Sequence, residues 1–337
     1  MTRLPPLTGE DRLIHWLRRQ PGTPLIGDDA AVLPAGGPLA VTVDQQIAGV
    51  HFPPDLDPAL LARRLLAVNL SDLAAMGATP AWAFLALAAP CGFDHRRFFT
   101  ALLAACRRYD LQLAGGDLAR HPHTATASLT LIGTRDDGAR LLHRHGATPE
   151  HDLWLGGTIG ESAAGRLLIE RGARFAASRI DLPAGMERFP AWRQAARRAV
   201  RRHLQPQPQL ALGRWLGTQR EGAAIDVSDG LARDLHRLCR ASSVGAAIES
   251  EALPFADRFS GLCEALGSDP LALALGGGED YVLLFTLPAG LLPPAAFGCR
   301  RIGTITMDRA VTLLREGKRR ALPARGWDHL AAAAPEK

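Results

Sequence analysis

Apolar positions in the first part of the chain repeat with the two periods that distinguish strands from helices. Leu39, Val41 and Val43 alternate with small or polar residues, which predicts a strand that ends at Asp44. The same criteria predict three helices and two further strands. The helices cover residues 11–20, 58–68 and 94–109, and the strands cover 80–90 and 125–134.

Residues 69–80, NLSDLAAMGATP, are predicted to form a separate short helix. Ser71 or Asp72 is expected to cap its start, and a glycine and a proline are expected to end it. An acidic side chain at a helix start can hold a cation while the free backbone N–H groups face an anion. The same Ser-Asp step recurs at residues 228–229, ahead of a second predicted helix.

The second part of the chain continues the alternation of strands and helices. A strand is predicted over 152–158, a helix entered from glycines over 160–172, and a strand, an acidic turn and a helix over 223–243. Residues 173–208, rich in Ala, Pro and Arg, are interpreted as an excursion from the core. A polar, turn-rich segment places the predicted domain boundary near residue 140, giving domains 1–140 and 141–337.

Length and composition are typical of an ordinary globular protein with two domains, or with one domain and a large elaboration. The chain has 337 residues, of which 47% are hydrophobic and 22% are charged. It contains no apolar run long enough to cross a bilayer, and its N-terminus lacks the apolar core of a signal peptide. A cytoplasmic protein that does not associate with membranes is expected.

Cysteine and lysine usage exclude several classes of site. The five cysteines are scattered and form no CxxC pair, so neither a zinc site nor a disulfide framework is expected. Lys318 and Lys337 are the two lysines, and neither follows a glycine-rich turn, which excludes a P-loop. The arginine-rich residues 193–202 are interpreted as a solvated helix face, so no nucleic-acid partner is expected.

Acidic residues recur at predicted strand ends, turns and helix starts, beside Gly, Ser or Thr. The set consists of Asp28, Asp29, Asp44, Asp72, Asp117, Asp226 and Asp229. Any one of them alone is typical of a cap or a turn, and an adjacent pair such as 28–29 faces either bulk water or a cation. Together they form an oxygen-rich set that suits Mg²⁺, and several divalent cations bridging a polyphosphate would balance their charge.

Seven motifs, in order along the chain, resemble those of the thiamine-monophosphate kinase family. They are IGDDAAVL, VTVDQQIAGVHF, NLSDLAAMGATPAW, LAGGDLAR, GESAAG, AIDVSDGL and GGGEDYVLLFT. The family belongs to a superfamily that also holds aminoimidazole ribonucleotide synthetase and selenophosphate synthetase. The resemblance implies an α/β (α+β) fold of two domains, with an N-terminal sheet that pairs across a homodimer and a larger C-terminal α+β domain.

The same resemblance implies ATP-dependent phosphorylation of thiamine monophosphate to thiamine diphosphate, assisted by several Mg²⁺ ions. By position it assigns metal ligation to Asp29, Thr42, Asp44, Asp72, Asp117, Asp226 and Asp229. Of these, Asp72, Asp117 and Asp229 are the expected catalytic residues. ATP contacts are implied for Gly116, Asp117, Arg144 and Ser228, and substrate contacts for His51, Glu279 and Trp327.

The residues suit this chemistry, because a phosphate acceptor is already ionised and needs no general base, whereas repulsion between two polyanions must be overcome. Departures from the family pattern are Val43, Gln45, Gln46, Leu118 and Ala119. Two alternatives therefore stay open. One is a related ATP-dependent synthetase that phosphorylates a carbonyl or amide oxygen, and the other is a degenerate nucleotide-binding homologue.

Overall fold

Two large sheets, one from each part of the chain, form the framework of the protein. The computed structural model describes residues 16, 19–22, 36–176, 179–183 and 190–327. Most of the helix predicted over 11–20 lies outside the described residues, and so do Asp28 and Asp29. None of the described helices is long and apolar enough to cross a membrane.

Eight helices and thirteen strands lie within the described residues. The helices are α1 Pro58–Ala75, α2 His95–Arg107, α3 Glu161–Glu170, α4 Pro190–Leu204, α5 Leu210–Gly217, α6 Leu231–Ser242, α7 Phe259–Ala265 and α8 Pro270–Gly276. The strands are β1 Leu39–Ile47, β2 Thr79–Ala89, β3 Gln112–Arg120, β4 Thr126–Thr134, β5 Asp152–Leu155, β6 Arg174–Ala176, β7 Arg179–Asp181, β8 Ala224–Asp226, β9 Gly245–Glu249, β10 Leu283–Leu287, β11 Arg300–Thr306, β12 Val311–Arg315 and β13 Lys318–Ala321.

The first sheet has four strands in the order β1-β4-β2-β3, and only the β2–β3 pair is parallel. Its inner face packs against α1 and α2, with Leu85 and Leu129 almost fully buried. Its outer face carries Val41 and Val43, each 60% exposed. The predicted strand that should end at Asp44 continues to Ile47, so Asp44 lies within β1.

The second sheet has seven strands in the order β13-β12-β9-β11-β5-β10-β8. Its core joins apolar side chains of the central strands to the buried face of α6, which carries Leu231, Leu235 and Leu238. The strands of the first sheet lie before residue 140 and those of the second lie after it, while the domain boundary itself stays a prediction.

The separate helix expected at residues 69–80 is wrong, because α1 runs without interruption from Pro58 to Ala75. Asp57 caps its start by accepting a hydrogen bond from the N–H of Ala59 at 2.8 Å. Gly77 ends it in a left-handed conformation with φ of 66°, in a Schellman arrangement. Ser71 and Asp72 therefore lie in the last two turns of a long helix rather than at the start of a short one.

Close packing of α1 against α5 joins the two parts of the chain. A Cβ atom at Gly213 would lie 2.0 Å from the carbonyl oxygen of Ala74, so only glycine permits this approach. Ala74, Leu212 and Leu216 continue into an apolar cluster with side chains of the second sheet. The C-terminal half of α1 is therefore held against the second sheet.

The interpretation of residues 173–208 as an excursion from the core is wrong for its helical part. Helix α4 buries Ala195, Ala196, Ala199 and Val200 in a cluster shared with α3 and α7. Some arginines of this helix are exposed as expected, but Arg198 pairs with Glu161 at 2.5 Å. The small apolar residues between the arginines form the buried face, which the high arginine content of the segment obscures.

Candidate active site

Four carboxylates, from two strands, a helix and a loop, converge where α1 meets the second sheet. Asp44 comes from β1, Asp72 from α1, Asp226 from the end of β8, and Asp229 from the loop before α6. Burial, together with repulsion from Asp72 and Asp229, raises the pKa of Asp44 to about 7. We name Asp44, Asp72, Asp226 and Asp229 the carboxylate cluster.

Side-chain hydrogen bonds fix the α1 member of the cluster. The hydroxyl of Thr42 donates to Asp72 Oδ2 at 2.5 Å, which joins β1 to α1. Burial raises the pKa of Asp72, while the Thr42 hydrogen bond and the charge of Arg144 act in the opposite direction. Thr42 and Arg144, both expected at the site, therefore lie within interaction range of Asp72.

Asp226 is the most deeply buried member of the cluster, with 3% of the residue exposed. The hydroxyl of Ser71 donates to Asp226 Oδ2 at 2.7 Å and so links α1 directly to β8. Burial raises the pKa of Asp226 well above its usual range, and repulsion from Asp72 and Asp44 adds to this. A carboxylate in this position holds a proton unless a cation binds beside it.

The loop that carries Ser228 and Asp229 does not repeat the capped arrangement expected for it. Asp234, in the first turn of α6, accepts hydrogen bonds at Oδ2 from the N–H groups of Ser228, Asp229 and Gly230, at 3.0–3.2 Å. These N–H groups are therefore occupied by the Asp234 carboxylate and are not available to bind a phosphate. Arg237 completes the arrangement by pairing with Asp229 at 2.6 Å and with Asp234 at 2.7 Å.

The three positions expected to contact substrate lie around the same loop. The N–H of Glu279 donates to the carbonyl of Ser228 at 2.6 Å, and the N–H of Trp327 donates to the carbonyl of Asp229 at 2.9 Å. Burial acts to raise the pKa of Glu279, but the charges of Arg64, His203 and His51 outweigh it and lower that pKa. His51 and Glu279 therefore lie within electrostatic range of each other.

Asp117 and Gly116, by contrast, lie away from the cluster. Asp44 aligns with Leu129, Leu85 and Gly116 across the sheet, so Asp117 lies on the opposite face, three strands from β1. The close approach permitted by Gly116 is to the neighbouring strand, since a Cβ atom there would lie 1.9 Å from the carbonyl oxygen of Leu85. Gly116 lies within β3, and its contact with ATP stays a prediction.

The carboxylate cluster offers oxygen ligands that suit a divalent cation, but it does not form a complete set of protein ligands around one ion. Among the described residues, no three carboxylate, imidazole or thiol side chains are arranged to hold one metal ion together. Mg²⁺ in phosphoryl-transfer sites usually takes one or two protein carboxylates and completes its shell with phosphate oxygens and water. Buried carboxylates with raised pKa values, open to further oxygen ligands, fit that arrangement.

Several residues that complete the site were missed or misinterpreted from the sequence. Ser71 was expected to act as a cap and instead binds Asp226. Arg64 and His203 surround Glu279, although nothing local distinguishes Arg64 from its exposed neighbour Arg63. Asp234 had a weak signal, because an acidic residue in the first turn of a helix often binds the preceding backbone N–H groups.

Comparison with known proteins identifies relatives over nearly the whole chain. Residues 27–134 match the family described as AIR synthase related protein, N-terminal domain. The thiamine-monophosphate kinase of Escherichia coli (strain K12) is 39% identical over 320 residues, which cover 91% of each chain.

Solved structures give the same result for the fold. The structure of AaThiL complexed with AMPPCP and TMP has a TM-score of 0.75 at 29% identity and covers 94% of this chain and 96% of its own. That of the thiamine-monophosphate kinase from Stenotrophomonas maltophilia K279a has a TM-score of 0.74 at 33% identity and covers 91% and 95%. The α/β class expected from the motifs is therefore confirmed.

Proposed function

The chain belongs to the thiamine-monophosphate kinase family, and we propose that it transfers the γ-phosphoryl group of ATP to thiamine monophosphate, forming thiamine diphosphate and ADP. The observation that carries this proposal is the convergence of Asp44, Asp72, Asp226 and Asp229 from both parts of the chain. The related AaThiL structure, which holds AMPPCP and TMP, supports the assignment of the two substrates.

The transfer itself requires little covalent chemistry from the protein. The acceptor is a phosphate oxygen that is already ionised near neutral pH, so no side chain must remove a proton. The bond between the γ-phosphorus and its bridging oxygen breaks, and a new P–O bond forms to the monophosphate, with the two oxygens in line. Positioning and charge compensation are therefore the tasks of the site.

The carboxylate cluster is suited to hold Mg²⁺ ions against the phosphates of both substrates. When bound, such ions neutralise phosphate oxygens and bring two polyanions together. Asp44 and Asp72 would supply ligands from β1 and α1, and Asp226 and Asp229 from β8 and the loop before α6. Asp29 and Asp117 stay predicted ligands, the first outside the described residues and the second remote from the cluster within one chain.

Arg144 and Ser228 are assigned to the nucleotide. Arg144 is exposed and lies close enough to Asp72 to lower its pKa, so its guanidinium can reach phosphates bound beside that carboxylate. Ser228 lies on the loop that Asp234 holds in place. Gly116 stays a predicted ATP contact.

Glu279, His51 and Trp327 are assigned to the thiamine moiety. Glu279 keeps a lowered pKa and is therefore ionised at neutral pH, which suits a substrate whose thiazolium ring is a fixed cation. Trp327 is half exposed beside Asp229, where its ring can cover an organic cation.

A homodimer is part of this proposal. Strands β1 and β3 are the edges of the four-stranded sheet, and the outer face next to β1 carries exposed Val41 and Val43. Asp117 lies on the same outer face. Association of this face with a second copy would cover the valines. It would also allow Asp117 to approach a carboxylate cluster, which it does not reach within one chain.

Two of the departures from the family pattern are explained by this arrangement. Val43 points to the outer face, away from Asp44, so the missing hydroxyl does not change the carboxylate cluster. Gln46 points inward and accepts a hydrogen bond from Arg64 at 2.9 Å. Nothing in the structure explains Gln45, Leu118 or Ala119 as changes in substrate.

A direct assay tests the proposed function. Purified protein is incubated with ATP, Mg²⁺ and thiamine monophosphate, and thiamine diphosphate is quantified by chromatography after oxidation to its fluorescent thiochrome. We expect one thiamine diphosphate and one ADP per turnover, and a loss of at least about a hundredfold in rate for Asp72→Asn. Turnover of ATP without thiamine diphosphate, or no turnover at all, would contradict the proposal.

A further inference from the structure

A fully buried arginine lies beneath the substrate side of the proposed site. Arg64 is in the middle of α1 and has no exposed surface. Each of its guanidinium nitrogens donates a hydrogen bond: Nε to Gln46 Oε1 at 2.9 Å, Nη1 to the carbonyl of His203, and Nη2 to Glu279 Oε1. It therefore joins β1, the end of α4 and the loop before β10.

Stability alone is a poor explanation for this arrangement. Burying an ion pair costs desolvation energy that its attraction often fails to recover, and apolar replacements are frequently as stable. The pair is also asymmetric, because the Arg64 side chain is fully buried whereas the Glu279 side chain is 24% exposed. One side of the carboxylate is thus fixed from within the protein, and the other side is accessible.

His203 restrains the second oxygen of the same carboxylate. Its Nδ1 lies 3.2 Å from Glu279 Oε2, and burial lowers the pKa of His203 to about 4, so the ring is neutral at physiological pH. The same nitrogen lies 3.2 Å from the hydroxyl oxygen of Ser162, with which it shares a hydrogen bond whose direction depends on the tautomer of the ring. His203 therefore lies against the second oxygen of Glu279, while Arg64 supplies the hydrogen bond that fixes the carboxylate.

The backbone of Glu279 is fixed as well. The residue has φ of 57°, a left-handed conformation that is unfavourable for a residue with a side chain, and Tyr281 has φ of 50°. Two hydrogen bonds keep this segment in place, from Glu279 N–H to the carbonyl of Ser228 and from Tyr281 N–H to the carbonyl of Val227. Strained, fully restrained backbone of this kind is typical of ligand-binding positions.

We propose that Arg64 is a positioning residue for substrate selection: it orients the Glu279 carboxylate, with His203, toward the cationic thiamine moiety of the acceptor. The inference rests on the proposed function and goes beyond it, because it assigns a role in acceptor binding to a residue that touches neither substrate. It also predicts an effect on binding of the acceptor and not of the nucleotide, because the described hydrogen bonds of Arg64 reach neither Arg144 nor the loop at Asp229.

Steady-state kinetics with a double-mutant cycle test this role. The variants are Arg64→Met, Arg64→Lys, Glu279→Gln and the double variant Arg64→Met/Glu279→Gln, with Arg63→Met, its exposed neighbour, as the matched control. We expect Arg64→Met to raise KM for thiamine monophosphate by about tenfold or more, while KM for ATP and kcat change by less than about threefold.

Arg64→Lys keeps the charge but loses the fork of donors, so we expect a smaller rise in the same KM. In the Glu279→Gln background, Arg64→Met should add less than about twofold, because the residue acts through Glu279. Thermal unfolding of each variant detects loss of fold, and the double variant and Arg64→Lys avoid leaving an unpaired buried charge in case Arg64→Met alone does not fold.

Three results would overturn the inference: an unchanged KM for thiamine monophosphate in both Arg64 variants, an equal rise in KM for ATP, or full additivity with Glu279→Gln. Each of these results requires that the wild-type protein forms thiamine diphosphate in the same assay. A wild-type protein that forms no thiamine diphosphate refutes the proposed function instead, so the two failures are distinguishable.

Discussion

The acidic residues of the site destabilise the folded protein when no cation is bound, and the same residues are suited to bind one. Asp44, Asp72 and Asp226 have raised pKa values, for which burial is the first cause. Each therefore binds a proton more readily in the folded protein without cations than in the unfolded chain. Binding of a divalent cation must therefore release protons, and it stabilises the fold against this repulsion.

The pH dependence of stability follows from these pKa values. The pKa of Asp44 rises from 3.8 to about 7 on folding, so the folded state binds more protons than the unfolded state between these values. The corresponding stability is fully present below about pH 4 and is lost as the pH rises through about 7. We expect the melting temperature of the wild type in EDTA, taken relative to that of Asp44→Asn, to fall across this range.

Thermal unfolding by circular dichroism in EDTA, at several pH values, measures this effect. Asp137→Asn, at an exposed position outside the site, serves as the control and should follow the wild type. Adding Mg²⁺ should restore most of the lost stability to the wild type at pH 7.5 and little to Asp44→Asn. The same dependence of melting temperature on pH in the metal-free wild type and in Asp44→Asn would contradict the assignment.

At the scale of elements, α1 organises the site. One face of this helix carries Asn69, which accepts a hydrogen bond from the N–H of Asp44 at 3.0 Å, and its last two turns carry Ser71 and Asp72. Arg64 lies two turns earlier and reaches Glu279. The helix therefore holds the metal side and the substrate side of the proposed site at a fixed separation.

Elements with one apolar face against a core could be predicted from periodicity. Strands β2 and β4 and helix α2 lie within two residues of their predicted ends, because their apolar faces pack on a single core. The break expected in α1 was wrong because Ser and Asp were interpreted as local caps. Their hydrogen bonds run instead to Asp226 and Thr42, which are distant in sequence.

The residues of the site could be predicted from the sequence only in part. Their type and their position beside Gly, Ser or Thr indicated an oxygen-rich set, and the structure brings Thr42, Asp44, Asp72, Asp226 and Asp229 together. Their roles stay predictions. Arg64 and His203 could not be found, because burial and an ion pair across more than 200 residues leave no local pattern.

At the scale of the whole molecule, the outer face of the first sheet determines the expected assembly. We expect the wild type to behave in solution as a dimer of about 72 kDa, twice the chain mass of 36.0 kDa. Val41→Glu/Val43→Glu places charges on this face and should shift the protein to the monomer, with loss of kinase activity. Size-exclusion chromatography with light scattering gives the mass.

Leu292→Glu is the control for this experiment, because Leu292 is also exposed, at 68%, but belongs to the loop after β10. It should leave the mass unchanged. A wild type that is monomeric at micromolar concentration, or a double valine variant that remains a fully active dimer, would show that the outer face is not the interface.

Carboxylates from both parts of the chain are proposed to form one magnesium site for phosphoryl transfer. Calorimetric titration of Mg²⁺ into the protein with AMPPCP tests this proposal, in two buffers of different ionisation enthalpy so that released protons are counted. We expect binding with proton release for the wild type, and affinity at least about tenfold weaker for both Asp72→Asn and Asp226→Asn. Wild-type binding in both variants would contradict the claim.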